Sequence, residues 1–266
     1  MTVCFAILAH EKEDVLANQV DNLTKFVPGC KIVLYNSSPD PDFGKNLNLI
    51  VYPDSRPLEY GKFGMFFLEI MSWLKKIGLS YDYLVNLDSD IMYIRSGYEY
   101  YLDFLMQGYE AMGIGMGTIR SPEEHSGWYP VQTMWKELRS WQPYFQTDYF
   151  GFALNSNQVY RKDLVDKMVE MMNIPVLKKL IEATEVFALE EILWPTLAMK
   201  CGAKTRPYLQ ESILDVVRIG APLSLHEAQD ALTRPQVYFI HPVRRDMLDP
   251  VRQWISSIPA TTGGQE

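Results

Sequence analysis

The sequence has few cysteines, and they are not grouped. Cys4, Cys30 and Cys201 lie far apart, without the CxxC spacing of a zinc site and without the even count of a disulfide framework. Basic residues are also outnumbered, because 25 Lys and Arg against 33 Asp and Glu give a net charge of -8. Non-specific binding to nucleic acid or anionic lipid requires clustered positive charge, so we expect neither partner. We expect a cytoplasmic protein, since the cytoplasm is a reducing compartment.

Long apolar runs are missing as well. No stretch approaches the length of a membrane span, so we predict none. The apolar start, residues 1–9, has no basic region and is followed by the charged segment 10–14, too early for a signal peptide. The sequence also lacks a P-loop and any other Gly-rich phosphate-transfer signature. Phosphatases and nucleotidyltransferases therefore rank last among the candidate functions.

The first half of the chain alternates short β-rich runs with helical patterns, which is typical of parallel strands joined by helices. The predicted strands there are residues 3–9, 31–35, 47–52 and 83–87, and the predicted helices are 13–26 and 61–77. The second half is less regular. Its predicted strands are 109–116, 150–154, 204–209 and 237–241, its predicted helices are 158–172 and 186–200, and a long, partly irregular connection rich in aromatics and Pro is predicted at 117–141. We predict one α/β domain over residues 1–259 with a mixed, mostly parallel central sheet, and a flexible tail at 260–266.

Two carboxylates interrupt an otherwise apolar stretch. Asp88-Ser89-Asp90 follows the apolar run 83–87, at the strand end where open α/β sheets place ligands, and precedes the apolar run 91–94. Like charges in such a place are unfavourable unless a cation neutralises them, and Mg²⁺ or Mn²⁺ accepts oxygen ligands and bridges phosphate oxygens. The alternative is structural: Asp88 caps the next turn and Asp90 pairs with Lys or Arg. The local sequence leaves both interpretations open.

A family resemblance enters at this motif. A strand, Asp-x-Asp and an apolar continuation resemble the metal-binding motif of the GT-A-fold glycosyltransferases. Further short segments are similar, in order, to glycosyltransferase family 14, the core-2 branching enzymes: residues 6–10, 58–63, 81–87 and 190–197. Members of that family are typically metal-independent and lack Asp-x-Asp. Metal use is therefore a prediction from Asp88 and Asp90 themselves, not from the family.

The resemblance implies a GT-A fold and the transfer of a sugar from a nucleotide-diphosphate sugar, with UDP as the nucleotide, to an acceptor hydroxyl. It maps the family's catalytic base to Glu191. We expect inverting transfer of a hexose or N-acetylhexosamine, in which Glu191 accepts the hydroxyl proton as the metal-bound diphosphate leaves. The alternatives are a retaining transferase, in which Glu191 only orients substrate, and a non-catalytic nucleotide- or carbohydrate-binding module.

Adjacent helix residues point about 100° apart, so we expect either Glu190 or Glu191 to be a solvated or first-turn acid. Glu190 is a candidate contact to the donor or acceptor sugar, together with Trp128 and Asp148. Aromatic faces stack well on sugar rings, and a carboxylate can hydrogen-bond sugar hydroxyls. Ordinary core and loop packing is the alternative for Trp128.

His241 ends an apolar strand late in the chain and resembles in position the histidine that several GT-A enzymes place on the metal. We predict a metal site of Asp88, Asp90 and His241 for Mn²⁺ or Mg²⁺, and imidazole favours Mn²⁺. A hydrogen-bonded histidine at a strand end is the alternative. Arg244 and Arg245 are candidates for diphosphate contacts because guanidinium matches phosphate geometry, with a surface salt bridge as the alternative.

The residues that we predict to contact the nucleotide sugar are His10, Asn36, Lys62, Asp88, Ser89 and Arg244. His10 and Asn36 follow the first and second strands, where GT-A enzymes hold the base and ribose. Both residues could equally serve turns. Lys62 follows the third strand, from where it could reach phosphate, and solvated surface is its alternative.

Overall fold

The computed structural model of the chain describes residues 1–10, 12–213 and 215–260. Of the predicted tail, residues 260–266, all but Ala260 lie outside the described residues. Within those described ranges, no helix is both long enough and apolar enough to cross a membrane.

The first half of the chain contains the predicted alternation of strands and helices, together with a fifth strand, a third helix and a 3-10 helix that were not predicted. The strands are β1 (Val3–Ala9), β2 (Lys31–Asn36), β3 (Ile50–Val51), β4 (Tyr83–Asp88) and β5 (Met92–Tyr93). The helices are α1 (Glu13–Phe26), α2 (Gly64–Ile77) and α3 (Tyr98–Leu105), with a short 3-10 helix at Lys45–Leu47. β1 is buried at every position and α1 buries one face, which is why their predicted bounds are confirmed.

The second half contains more helix than predicted. Its strands are β6 (Ala111–Gly113), β7 (Gly117–Ile119), β8 (Phe150–Phe152), β9 (Val159–Arg161), β10 (Thr205–Pro207) and β11 (Phe239–Ile240). Its helices are α4 (Tyr129–Lys136), α5 (Leu138–Phe145), α6 (Lys162–Met171), α7 (Ile174–Ala183), α8 (Glu190–Lys200), α9 (Gln210–Ile213), α10 (Leu225–Thr233) and α11 (Pro250–Ser257).

The segment 117–141, predicted as a partly irregular connection, contains β7, α4 and the start of α5. Pro130 lies in the first turn of α4, where a missing N–H costs nothing, so it begins the helix instead of breaking it. The predicted helix 158–172 is wrong at its start, because Val159–Arg161 pairs antiparallel with β4 as strand β9.

Seven strands form one sheet in the order β10-β6-β9-β4-β1-β2-β3. β1, β2 and β3 are parallel neighbours, and β10 is parallel to β6. β9 runs antiparallel to both β4 and β6. The predicted fold class, α/β with a mixed, mostly parallel central sheet, is therefore confirmed. Two further ladders, β5 with β11 and β7 with β8, are antiparallel.

The chain divides into two compact units. The first consists of Met1–Pro57, Leu87–Gln107 and the described residues from Tyr208 onward, and the second of Leu58–Asn86 and Gly108–Pro207. Each unit has its own buried aromatic core: Tyr93 packs edge-on against Tyr98 in the first, and Phe67 against Trp194 in the second. One domain over residues 1–259 stays a prediction.

Candidate active site

The two aspartates of the Asp-x-Asp motif lie in the turn between β4 and β5, in the first unit. Asp88 is the last residue of β4. The amide of Ile91 donates to the carbonyl of Asp88 at 3.2 Å and closes the turn. Ser89 is buried, whereas the side chain of Asp90 retains 16% exposure. The turn therefore holds two carboxylates at a strand end with limited access to solvent.

Strand β11 brings His241 to this turn. The antiparallel pairing of β5 with β11 continues beyond both strands, because the amide of Val243 donates to the carbonyl of Asp90 at 2.9 Å. His241 directly follows β11, and its Nε2 lies 3.4 Å from Asp90 Oδ1. The potential ligand atoms of Asp88, Asp90 and His241 all lie within 4.8 Å of one another. The three predicted metal candidates are thus together in the folded chain.

This donor set fits a divalent cation. Octahedral ligands about 2.1 Å from Mg²⁺ are separated by about 3 Å when adjacent and about 4.2 Å when opposite, so a cluster within 4.8 Å needs small adjustments. Two carboxylates suit Mg²⁺ or Mn²⁺, and the imidazole suits Mn²⁺. Asp90 Oδ1 is buried and makes no well-formed hydrogen bond with the described residues. A metal ion would satisfy that oxygen.

Asp90 also faces Arg245, whose Nη2 lies 3.3 Å from Oδ2. Burial by itself would raise the pKa of Asp90, but its contact with His241 and the positive charges of His241 and Arg245 outweigh that effect and hold the pKa below its usual value. Burial would likewise lower the pKa of His241, but Asp90 and then Asp88 raise it above its usual value. The carboxylate of Asp90 is therefore ionised at neutral pH, as a metal ligand must be.

The two neighbouring arginines are placed differently. Arg245 is the one that contacts the carboxylate of Asp90, and its side chain is 31% exposed. Arg244, the predicted nucleotide-sugar contact, is 69% exposed, with its Nε 4.0 Å from Asp249 Oδ2. The sequence offered both arginines as diphosphate contacts. The structural alternative for the motif, in which Asp90 pairs with Lys or Arg, is the contact that Arg245 makes.

Helix α1 contacts the same turn through a residue that the sequence analysis missed. Gln19 is fully buried, and its Nε2 donates to the carbonyls of Asp88 at 2.7 Å and Ile91 at 3.2 Å. Asn22 donates to and accepts from the backbone of Tyr93 in β5, both at 2.8 Å. The sequence contained one indication of these contacts, because Gln19 and Asn22 are amide side chains three residues apart on the apolar face of the predicted helix.

The predicted nucleoside contacts have different surroundings. Asn36 is buried at the end of β2, where its Nδ2 donates to the carbonyl of Asp40 and its Oδ1 accepts from the amide of Ser38, both at 2.8 Å. Its side chain therefore stabilises a local turn, which was the alternative interpretation. His10 follows β1 and is exposed. A nucleotide contact stays a prediction for both.

Glu190 and Glu191 begin helix α8 in the second unit. Both lie in its first turn and both are buried, so neither is the solvated acid that we considered. Glu191 Oε1 accepts a hydrogen bond from the amide of Asn155 at 3.1 Å. A backbone amide thus orients the carboxylate that the family resemblance selected as a base.

Helix α8 and strand β8 are in direct backbone contact. A Cβ at Gly151 would lie 2.6 Å from the carbonyl carbon of Pro195 and 2.7 Å from the amide nitrogen of Thr196. Because Pro195 has no N–H, it cannot donate to the carbonyl of Glu191 one turn earlier. The amide of Ala153 donates to that carbonyl instead, at 2.9 Å. The proline and the glycine together attach the start of α8 to the segment after β8.

Lys62, the predicted phosphate contact, is already engaged in ion pairs in the second unit. Its Nζ lies 3.3 Å from carboxylate oxygens of both Glu185 and Glu59. Hydrogen bonds to Glu185 and then Glu59 raise the pKa of Lys62. Two carboxylates therefore compete with phosphate for Lys62, and its role toward phosphate stays a prediction.

The two remaining sugar-contact candidates lie near the surface of the second unit. Trp128 packs edge-on against Phe152, with ring centroids 5.6 Å apart. Asp148 is exposed and pairs with Arg120 at 3.0 Å. Both side chains have structural contacts, and their sugar-binding roles stay predictions.

No family model and no curated protein matches the sequence, so neither comparison supports the resemblance to family 14. Among solved structures, the chain is similar to the galactosyltransferase LgtC in complex with donor and acceptor sugar analogs, with 8% identity, a TM-score of 0.49 and coverage of 100% of this chain and 98% of that chain. An active-site mutant of LgtC gives 10% identity, a TM-score of 0.49 and coverage of 97% and 95%.

The mannosyltransferase PcManGT from Pyrobaculum calidifontis, in complex with GDP-Man and Mn²⁺, is 9% identical over 62% of this chain and 46% of that chain, with a TM-score of 0.38. With TM-scores this low, these likenesses establish neither fold nor function.

Proposed function

We propose that this protein is a metal-assisted GT-A-type glycosyltransferase that moves a sugar from a nucleotide-diphosphate sugar to an acceptor hydroxyl. The cluster of Asp88, Asp90 and His241 at the end of β4 carries the proposal. Two carboxylates and an imidazole at a strand end form the kind of site that holds a divalent cation against a diphosphate. UDP as the nucleotide, Mn²⁺ as the preferred metal and a cytoplasmic location stay predictions.

The first unit supplies the donor side of the proposed site. Asp88, Asp90 and His241 would hold the cation, which when bound would neutralise charge on the departing diphosphate. Arg245 lies beside the carboxylate of Asp90, and we assign the exposed guanidinium of Arg244 to phosphate oxygens. The further residues that we assign to the nucleotide sugar are Ser89, His10 and Asn36 of this unit, and Lys62 of the second unit.

Glu191 is the proposed general base. Its carboxylate takes the proton of the acceptor hydroxyl while the hydroxyl oxygen forms a bond to the anomeric carbon. The bond from that carbon to the diphosphate breaks, and the electron pair leaves with the nucleoside diphosphate. This single displacement inverts the anomeric centre. The hydrogen bond from Asn155 and the burial of Glu191 support a fixed orientation of the carboxylate.

The transferred sugar is, in this proposal, a hexose or an N-acetylhexosamine, and the candidate sugar contacts are Trp128, Asp148 and Glu190. A retaining transferase would use the same metal site, with Glu191 as an orienting residue. NMR of the first-formed product separates the two mechanisms, because inversion and retention give opposite anomers.

The test is a thermal-shift and calorimetric titration with a panel of nucleoside diphosphates and nucleotide sugars, each with Mn²⁺, Mg²⁺ or a chelator. A ligand present at 100 times its Kd stabilises the folded state by about 2.7 kcal/mol, so a true donor is readily detected. We expect one nucleotide to bind in a metal-dependent manner, and Asp90→Asn to abolish that response. Asp21→Asn removes one exposed carboxylate of α1 and is the charge-matched control.

Three results would count against the proposal. The first is no response to any nucleotide, and the second is a response that the chelator leaves unchanged. The third is an equal loss of the response in Asp90→Asn and Asp21→Asn, because net charge would then explain the effect.

A further inference from the structure

The side chain of Gln19 attaches helix α1 to the turn that carries Asp88 and Asp90. Gln19 donates from one amide nitrogen to the carbonyls of Asp88 and Ile91, which are the first and last residues of the turn. The hydrogen bond from the Ile91 amide to the Asp88 carbonyl closes the same turn at 3.2 Å. Both ends of the turn are therefore held by the same amide group.

Stability alone does not explain a glutamine at this position. Its Oε1 is buried, and none of the described residues donates a hydrogen bond to it. A buried oxygen without a donor costs free energy, which an apolar side chain of similar size would avoid. The other buried residues of α1 are either apolar or, in the case of Asn22, have both side-chain polar atoms hydrogen-bonded to the backbone of Tyr93.

The Asp88 carbonyl would still have a hydrogen bond without Gln19, because it also accepts from the amide of Ile91. Satisfying that carbonyl is therefore not sufficient reason for a buried glutamine. What Gln19 adds is a second contact that joins the two ends of the turn to the helix.

We infer that Gln19 is a positioning residue for the metal centre, a role that rests on the proposed function of Asp88 and Asp90. By holding the peptide groups at both ends of the turn, it sets the directions in which the two carboxylates leave the backbone. The carboxylates then lie within ligand reach of His241 before an ion binds, so that less conformational entropy is lost on binding. Gln19 acts through the backbone and does not touch the ion.

The experiment compares two buried amides on the same face of α1. Gln19→Met retains the length of the side chain and removes both donated hydrogen bonds. Asn22→Leu, the matched control, removes two hydrogen bonds of 2.8 Å to the backbone of Tyr93 in β5 and none to the turn. Mn²⁺ alone is the probe. Its Kd is measured by calorimetry, its coordination by electron paramagnetic resonance, and the unfolding temperature of each variant is recorded alongside.

We expect Gln19→Met to weaken Mn²⁺ binding at least about tenfold, as is typical when a residue that orients metal ligands is lost, and to broaden the resonance spectrum. Asn22→Leu should lower the unfolding temperature by at least as much and leave the Mn²⁺ Kd and spectrum close to those of the wild type. Should Gln19→Met fail to fold, Gln19→Asn carries the test. Its amide is one methylene too short to reach both carbonyls, so we expect weaker Mn²⁺ binding and a broader spectrum, both to a smaller degree than in Gln19→Met.

The outcomes separate this inference from the proposed function. Wild-type Mn²⁺ binding with an unchanged Kd in Gln19→Met overturns the positioning role and leaves the metal centre standing. Equal weakening in Gln19→Met and Asn22→Leu also overturns it, because loss of stability would then explain both. No Mn²⁺ binding by the wild type overturns the metal centre and the role of Gln19 together.

Discussion

Two pairs of acidic residues, Asp88 with Asp90 and Glu190 with Glu191, are sheltered from solvent in different surroundings. In the first unit, Asp90 faces the imidazole of His241 at 3.4 Å and the guanidinium of Arg245 at 3.3 Å. In the second unit, Glu191 lies in the first turn of α8 and accepts a hydrogen bond from the backbone amide of Asn155 at 3.1 Å. Both arrangements reduce the cost of placing an ionised carboxylate away from water.

The difference indicates what each pair is suited to do. The side chain of Arg245 can rotate away, so a divalent ion that His241 also binds can take its place at Asp90. A backbone amide cannot be replaced in this way, and it holds Glu191 in one orientation. The aspartate pair is therefore suited to reversible ion binding, and the glutamate pair to presenting a fixed carboxylate.

The largest expected effect is a loss of transfer activity when Glu191, the fixed carboxylate, is replaced. Glu191→Gln should lower the transfer rate by about 10²- to 10⁴-fold, because a general base is lost. Metal-dependent donor binding should remain. Rate measurements with the donor found in the nucleotide panel, together with calorimetry, check both parts. Glu182→Gln, which changes an exposed glutamate of α7, is the control. Intact transfer in Glu191→Gln would show that the base is elsewhere.

The next largest expected effect is a loss of Mn²⁺ affinity when Asp90 of the aspartate pair is replaced. Asp90→Asn should weaken Mn²⁺ binding by more than about 100-fold, because the loss of a direct ligand exceeds the effect of losing an outer contact. His241 and Arg245 would also lose the charge that they face. Calorimetric titration with Mn²⁺ measures the change. Near-wild-type affinity in this variant would favour the structural interpretation of the Asp-x-Asp motif.

A smaller effect should follow from the packing that holds the glutamate pair. Gly151→Ala places a methyl group against the backbone of Pro195 and Thr196, and we expect it to lower the free energy of unfolding by about 1–3 kcal/mol. Denaturant titration measures this change. Gly127→Ala is the control, because a Cβ there meets no atom within 4 Å. Equal stability of the two variants would contradict the close contact between β8 and α8.

The smallest expected effect distinguishes the two arginines. A guanidinium beside Asp90 competes with a metal ion, so Arg245→Gln should tighten binding of Mn²⁺ alone about fivefold, which corresponds to about 1 kcal/mol. Arg244→Gln, at an exposed position, should leave the Mn²⁺ Kd close to that of the wild type. Calorimetry measures both. Weaker Mn²⁺ binding in Arg245→Gln would mean that Arg245 is needed to orient Asp90.

Predictability from the sequence differed between elements. The bounds of β1 and α1 were predictable because a continuous buried strand and a one-sided helix leave clear hydrophobic patterns. The strand Val159–Arg161 was missed because it has three residues and leads directly into α6, with no turn residue between them. The helix α4 was missed because Pro130 was interpreted as a loop residue although it lies in the first turn.

The sequence by itself determined the chemistry available at the candidate site: two aspartates at the end of a strand, a histidine after a late strand and two arginines beyond it. Tertiary structure decided which of these groups meet. The pairing of β11 with β5 brings His241 and Arg245 to Asp90, and the packing of α1 brings Gln19 to the turn. These contacts depend on strand register and helix packing between distant segments, and no local pattern of residues encodes them.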